Sequence, residues 1–130
     1  MKLSIITDLY GLEHVREILD SNFEVSYLSN CSEQEFINQC SDTEIIFTNP
    51  NNSQFPLSGQ VLSKLTKLKI ITTASTGTVH IDLEYCNAHN IKVISIKDEI
   101  STLREITSTA EHAVLLTLTL LRKTNMSIPS

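Results

Sequence analysis

The stretch KIITTASTGTVHIDLEYCNAHNIKVISI, residues 69–96, decides how this chain is built. It opens on a short β-branched run, KIITTA (69–74), and empties into a loop of small residues around Gly77. Asp82 stands where a helix N-cap belongs, ahead of a helix running to about His89, and Asn90 suits the left-handed position that ends one. KVISI (92–96) is a second β-branched run. Strand, loop, helix and strand within about thirty residues make a βαβ unit, whose strands are parallel.

The same alternation extends upstream. KLSIIT (2–7), bounded by Asp8 and Gly11, reads as a buried strand, and LEHVREILDSN follows with Leu12, Val15, Ile18 and Leu19 at helical spacing. FEVSYL (23–28) alternates as a strand, and Ser32 with Glu35 forms a capping box for a helix through about Cys40. EIIFT (44–48) is a third strand, ended by the turn-rich NPNNSQFP. Leu57, Val61, Leu62 and Leu65 mark a helix ending near Leu68. Downstream, polar residues 97–106 form a loop, and Ser108 with Glu111 makes a second capping box before TAEHAVLLTLTLLRK. The order βαβαβαβαβ plus a last helix predicts an α/β fold: a flavodoxin-like, doubly wound, five-stranded parallel sheet of order 2-1-3-4-5. In such sheets ligands sit at the carboxyl ends of the strands. The last helix is apolar on nearly all sides, which implies another layer or subunit against it. With TNMSIPS after it, the chain reads as half of something larger.

Composition narrows the classes. Of 130 residues 41% are hydrophobic and 19% charged, a globular mixture. The net charge is −5 with Lys and Arg scattered, so no basic stripe exists to follow a nucleic acid. The N-terminal apolar run stops at Asp8, too short for a signal peptide. AVLLTLTLL is half the roughly eighteen apolar residues of a membrane span, so no membrane partner is expected. Cys31, Cys40 and Cys86 share no C-x-x-C spacing and read as reduced thiols in a cytoplasmic protein without a metal site.

Three loops should gather at the carboxyl edge: TDLYG, TNPNN and ASTGTVH. A mononucleotide fits poorly. TASTGT (73–78) nearly spells the flavodoxin phosphate loop, but it follows the fourth strand, and no aromatic pair is placed to sandwich a flavin. A dinucleotide is not held by the usual device, because the glycines lie at 11, 59 and 77, and no P-loop exists. A receiver-like pattern has Asp8, Thr73 or Ser75, and Lys97 in place, yet Thr48 and Asn49 stand where the phosphoacceptor aspartate belongs. A small carboxylate fits better. Successive backbone N–H groups around Ser75, Thr76 and Gly77 can form a nest for one anion, with Gly77 permitting a positive φ and close approach.

TASTGTVHIDLEYCNAHNIKVISI followed by STAEHAVLLTLTLLRK resembles the N-terminal half of the D-isomer-specific 2-hydroxyacid dehydrogenases, the family of D-3-phosphoglycerate dehydrogenase and glyoxylate reductase. The resemblance covers residues 69–123, and the βα pattern of 1–68 agrees with it. It implies a two-domain NAD- or NADP-dependent oxidoreductase acting on D-2-hydroxy or 2-oxo acids in the cleft between its domains. Residues 1–106 would be the substrate-binding domain. Residues 107–130 would be a crossover and dimerisation helix leading to a nucleotide-binding domain absent from this chain. Ser75, Thr76 and Gly77 would hold the substrate carboxylate, Thr76 would also approach the cofactor, and Thr109 would lie near it. Helix 109–123 would pack on the nucleotide domain and in a homodimer interface. The family's glycine-rich NAD fingerprint and its catalytic arginine, glutamate and histidine lie downstream of the matched region, so none is carried over. The resemblance therefore implies a chain inactive alone that binds no cofactor tightly. The alternative is a stand-alone binding or regulatory module, similar to a degenerate receiver. His14, His80, His89 and His112 are read as surface, structural or helix-end residues, Glu111 as a capping acid, and Arg104 as a lone loop cation.

Overall fold

The computed structural model describes residues Met1–Asp98, which form one compact unit. The expected boundary at residue 106, the second capping box, Arg104, Thr109, His112 and helix 109–123 lie outside the described residues.

Five strands are present: β1 (Lys2–Ile5), β2 (Glu24–Tyr27), β3 (Ile45–Thr48), β4 (Ile70–Thr73) and β5 (Lys92–Ser95). They make an all-parallel sheet in the order β2-β1-β3-β4-β5, as the alternation of apolar runs predicts. Between them run α1 (Glu13–Asn22), α2 (Glu33–Cys40), α3 (Gly59–Leu62) and α4 (Leu83–Ala88).

Side chains on a strand alternate between faces, and here the alternation separates two clusters. Ile6, Ile46 and Ile71 face α2, α3 and α4, where they bury Phe36, Val61, Leu62 and Cys86. Leu3, Ile5 and Ile45 face the other way, with Leu19 of α1 packed on them. Strands covered on both faces need apolar residues at nearly every position, which explains why IIF of β3 reads as an unbroken run.

Local signals fix the helix ends. Ser32 accepts from the Glu35 N–H while the Glu35 carboxylate accepts from the Ser32 N–H, the reciprocal capping box that starts α2. Asp82 accepts from the Tyr85 N–H to start α4, and Asn90, at φ 55°, closes the turn after it.

One expectation is corrected. The helix predicted to run to Leu68 stops at Leu62. Lys64 then donates to Val61 and Leu65 to Leu62, tighter turns that still seat Leu65 and Leu68 in the core at a spacing of three. The apolar spacing in α1 is present, but no residue of that helix is fully buried. Val15 and Ile18 remain 37% and 51% exposed.

Candidate functional site

The carboxyl ends of β1, β3, β4 and β5 lead into four turns that define one edge of the sheet. Several charged residues pair at the opposite edge. There Lys2 pairs with Asp42, and Lys69 donates to Glu44 at 2.9 Å, so the hydrogen bond from Lys69 holds the Glu44 carboxyl below its usual range. The turn after β4 carries no charged side chain between Thr73 and Val79.

That turn is built from its own polar atoms. Thr73, the buried last residue of β4, approaches Ser75 with 2.9 Å between hydroxyl oxygens, as the same-side relation of residues two apart allows. Ser75 Oγ donates to the carbonyl of Gly77 at 2.7 Å. The Ala74 N–H reaches back to the Thr48 carbonyl, and the Ser75 carbonyl accepts from the Ile96 N–H at 3.3 Å, so both neighbouring strands brace the loop. On its far side, Ile81 donates to the Thr78 carbonyl. Leu57 pairs with the His80–Asp82 backbone through bonds of 2.8 and 3.0 Å.

Between these anchors the N–H groups of Ser75, Thr76, Gly77 and Thr78 meet no acceptor among the described residues. Thr76 and Gly77 are exposed, and Val79 is 99% exposed. Successive unpaired donors on a braced, solvent-facing turn suit an oxyanion. Gly77 contributes differently from the sequence reading. Its φ is not in the left-handed region, which among the glycines only Gly11 occupies, at 74°. What Gly77 leaves is space, because a Cβ built there would meet nothing within 4 Å. Ser75 also acts otherwise than as a free hydroxyl, since its proton is committed to the Gly77 carbonyl.

His80, which the sequence places beside this loop with a structural role, makes a contact that sequence reasoning did not find. Its Nε2 lies 3.2 Å from Thr73 Oγ1, while its Nδ1 is buried and meets no partner among the described residues. Burial alone pushes its pKa below 6.5, favouring the neutral ring. No spacing rule joins a histidine to a strand-end threonine seven residues earlier; only the return of the chain along Leu57 brings them together.

The receiver-like pattern is not assembled as an acidic site. Thr48 Oγ1 lies 2.8 Å from Ser53 Oγ, and Asp8 accepts from the Tyr10 N–H within its own turn. Among the described residues no group of three His, Cys, Asp or Glu stands close enough to hold a metal. Cys31, Cys40 and Cys86 are free. No described helix is long and apolar enough to cross a membrane.

A dinucleotide requires a glycine-rich turn directly after a strand, with backbone close enough to meet a pyrophosphate. The turn after β1 has only Gly11, six residues past Ile5, and the turn after β4 has only Gly77. The described residues therefore do not form a dinucleotide cradle.

Residues 4–126 match the family model for the D-isomer specific 2-hydroxyacid dehydrogenase, catalytic domain. A formate dehydrogenase from Chaetomium thermophilum is 35% identical over 89 residues, which are 67% of this chain and 22% of that protein. The chain thus spans about a fifth of the length of the curated relatives it matches, the formate dehydrogenases of Pichia angusta and Candida boidinii included. The NAD+-bound 3-phosphoglycerate dehydrogenase of Entamoeba histolytica superposes with a TM-score of 0.62 at 25% identity, covering 73% of this chain and 32% of that one. The fold is also that of the D-lactate dehydrogenase of Escherichia coli, with a TM-score of 0.65 at 21% identity, covering 98% of this chain and 39% of that one.

Proposed function

The chain belongs to the family of D-isomer specific 2-hydroxyacid dehydrogenases, and from that premise we propose that it holds the carboxylate of a small organic acid on the turn Ser75–Thr78. The observation that carries the reading is the run of unpaired N–H groups beside a glycine with open space over it. Such donors grip the carboxylate itself and not the rest of the acid. A 2-oxo acid, a D-2-hydroxy acid and formate, the substrate in the relatives' names, therefore share one mode of attachment.

In this reading the unit supplies position and not the chemical step. Fixing one end of the substrate removes rotational freedom and presents the carbon next to the carboxylate, or the formate carbon itself, to the open side of the sheet edge. The redox step belongs to NAD or NADP on a nucleotide-binding domain, to which residues 107–130 lead. Thr76 and Thr109 would meet the cofactor there, and helix 109–123 would take part in a homodimer. The described turns of this chain do not fit the cofactor. The 130 residues alone should give no turnover with NADH and glyoxylate.

Titrating glyoxylate, and separately formate, into the chain while following backbone amide resonances tests the proposal. The amides of residues 75–78 should shift together. Gly77→Val should fold normally, because neither its φ nor its surroundings exclude a side chain, yet bind about tenfold or more weakly, equivalent to ~1.4 kcal/mol. Equal affinity in Gly77→Val would remove the turn from the binding site.

A further inference from the structure

The hydrogen bonds around the turn run in one direction only. A carbonyl can only accept, so Ser75 must donate its single proton to Gly77. Ser75 Oγ is then the acceptor towards Thr73, whose single proton is spent in turn. Thr73 Oγ1 has nothing left to give His80, so Nε2 of the ring must carry the proton and donate. The resulting chain is His80 Nε2–H to Thr73, Thr73 to Ser75, and Ser75 to the Gly77 carbonyl.

The last bond matters for an anion. In a trans peptide the C=O and the following N–H point in opposite directions. Drawing the Gly77 oxygen in under Ser75 therefore turns the Thr78 N–H outward. It also occupies that carbonyl with a donor, so that it does not face a carboxylate at the nest unpaired. His80 is well anchored for the task, since its own carbonyl is held by Leu57.

We propose that His80, as the Nε2–H tautomer, is a positioning residue that sets the donor geometry of the carboxylate turn through Thr73 and Ser75. Its role in binding rests on the function proposed above; the relay itself does not. A buried Nδ1 without a donor or acceptor beside it is consistent with a neutral ring, because a second ring proton there would have no acceptor among the described residues.

Long-range ¹H–¹⁵N spectra of the ring in the 130-residue chain test the relay without ligand. Nε2 should resonate as protonated and Nδ1 as unprotonated, and Thr73→Val should move both towards the average of mixed tautomers. In the binding arm, His80→Leu and Thr73→Val should weaken glyoxylate about tenfold, the worth of one well-placed hydrogen bond. His80→Gln, whose amide N–H reaches a similar place, should recover most of the loss. A wild-type ring with unprotonated Nε2 overturns the relay. Undiminished glyoxylate affinity in a folded His80→Leu overturns the positioning role. If glyoxylate and formate leave the turn's amides unmoved in the wild type, the carboxylate reading falls and His80's part in binding falls with it. The ring shifts then still decide the relay, so the two failures are distinguishable.

Discussion

One face of the sheet, carrying α2, α3 and α4, buries thirteen apolar residues in a single cluster, whereas the face carrying α1 buries four. The strands make no such distinction. Along β3, Ile46 points to the first face and Ile45 and Phe47 to the second, and all three are equally suited to a core. Leu3, Leu9, Val15, Leu19, Phe23 and Phe47 instead line an apolar groove beside α1. A strand's pattern thus states that both faces are to be covered, and the described helices satisfy that demand on one of them.

The comparison breaks most directly in the core. Phe36, fully buried and packed 5.4 Å from the Phe55 ring, should cost about 3–5 kcal/mol as Phe36→Ala in chemical denaturation. On the other face, Ile18→Glu should stay within about 0.5 kcal/mol of the wild type, because half of that side chain already meets water. Similar losses for the two would show that the α1 face is covered in solution. Helix starts offer the next largest contrast. Ser32→Ala removes the α2 capping box and should cost about 1 kcal/mol, while Leu12, which caps α1 without any side-chain bond, should improve by several tenths as Leu12→Asp. Midpoint shifts of opposite sign would confirm that α1 lacks local as well as tertiary support.

The smallest effect is on pH dependence. Burial depresses the His80 pKa below its unfolded value of 6.5, so over that window the unfolded chain takes up a proton the folded chain resists. The contribution to stability is complete above 6.5 and is lost as pH falls through the lower folded value. Denaturation midpoints should therefore fall more steeply there for the wild type than for His80→Gln. Asp42 and Glu44, whose carboxyls are held low by Lys2 and Lys69, lose their contributions only at pH below 3.8 and 4.5. Parallel profiles for the two proteins would mean that His80 is no more buried than in the unfolded chain.

Much of this was legible in the residues themselves. Ser32 with Glu35, Asp82 and Asn90 are local devices, and each acts where its neighbours in sequence say it should. The parallel pairing of the strands follows from apolar runs and crossover lengths. Leu65 and Leu68 misled because a spacing of three serves consecutive tight turns as well as a helix. At the turn after β4 the small residues were visible, but their protons were not. Whether Ser75 offers its hydroxyl outward depends on Thr73, Gly77 and His80 together, and a reading of one residue type at a time does not count donors against acceptors. The partial exposure of Val15 and Ile18 was equally hidden, because amphipathic spacing names a face without naming what meets it.

The bond from the Ile96 N–H to the Ser75 carbonyl has a mechanical consequence. Ile96 begins the 3₁₀ turn with which the described chain leaves the sheet, and its amide is fastened to the same residue that disciplines the turn. Tension or torsion applied where the polypeptide departs is thereby transmitted to Ser75 through one shared bond. By reciprocity, an anion that stiffens the turn would also stiffen the point of departure, at no cost beyond its own binding energy.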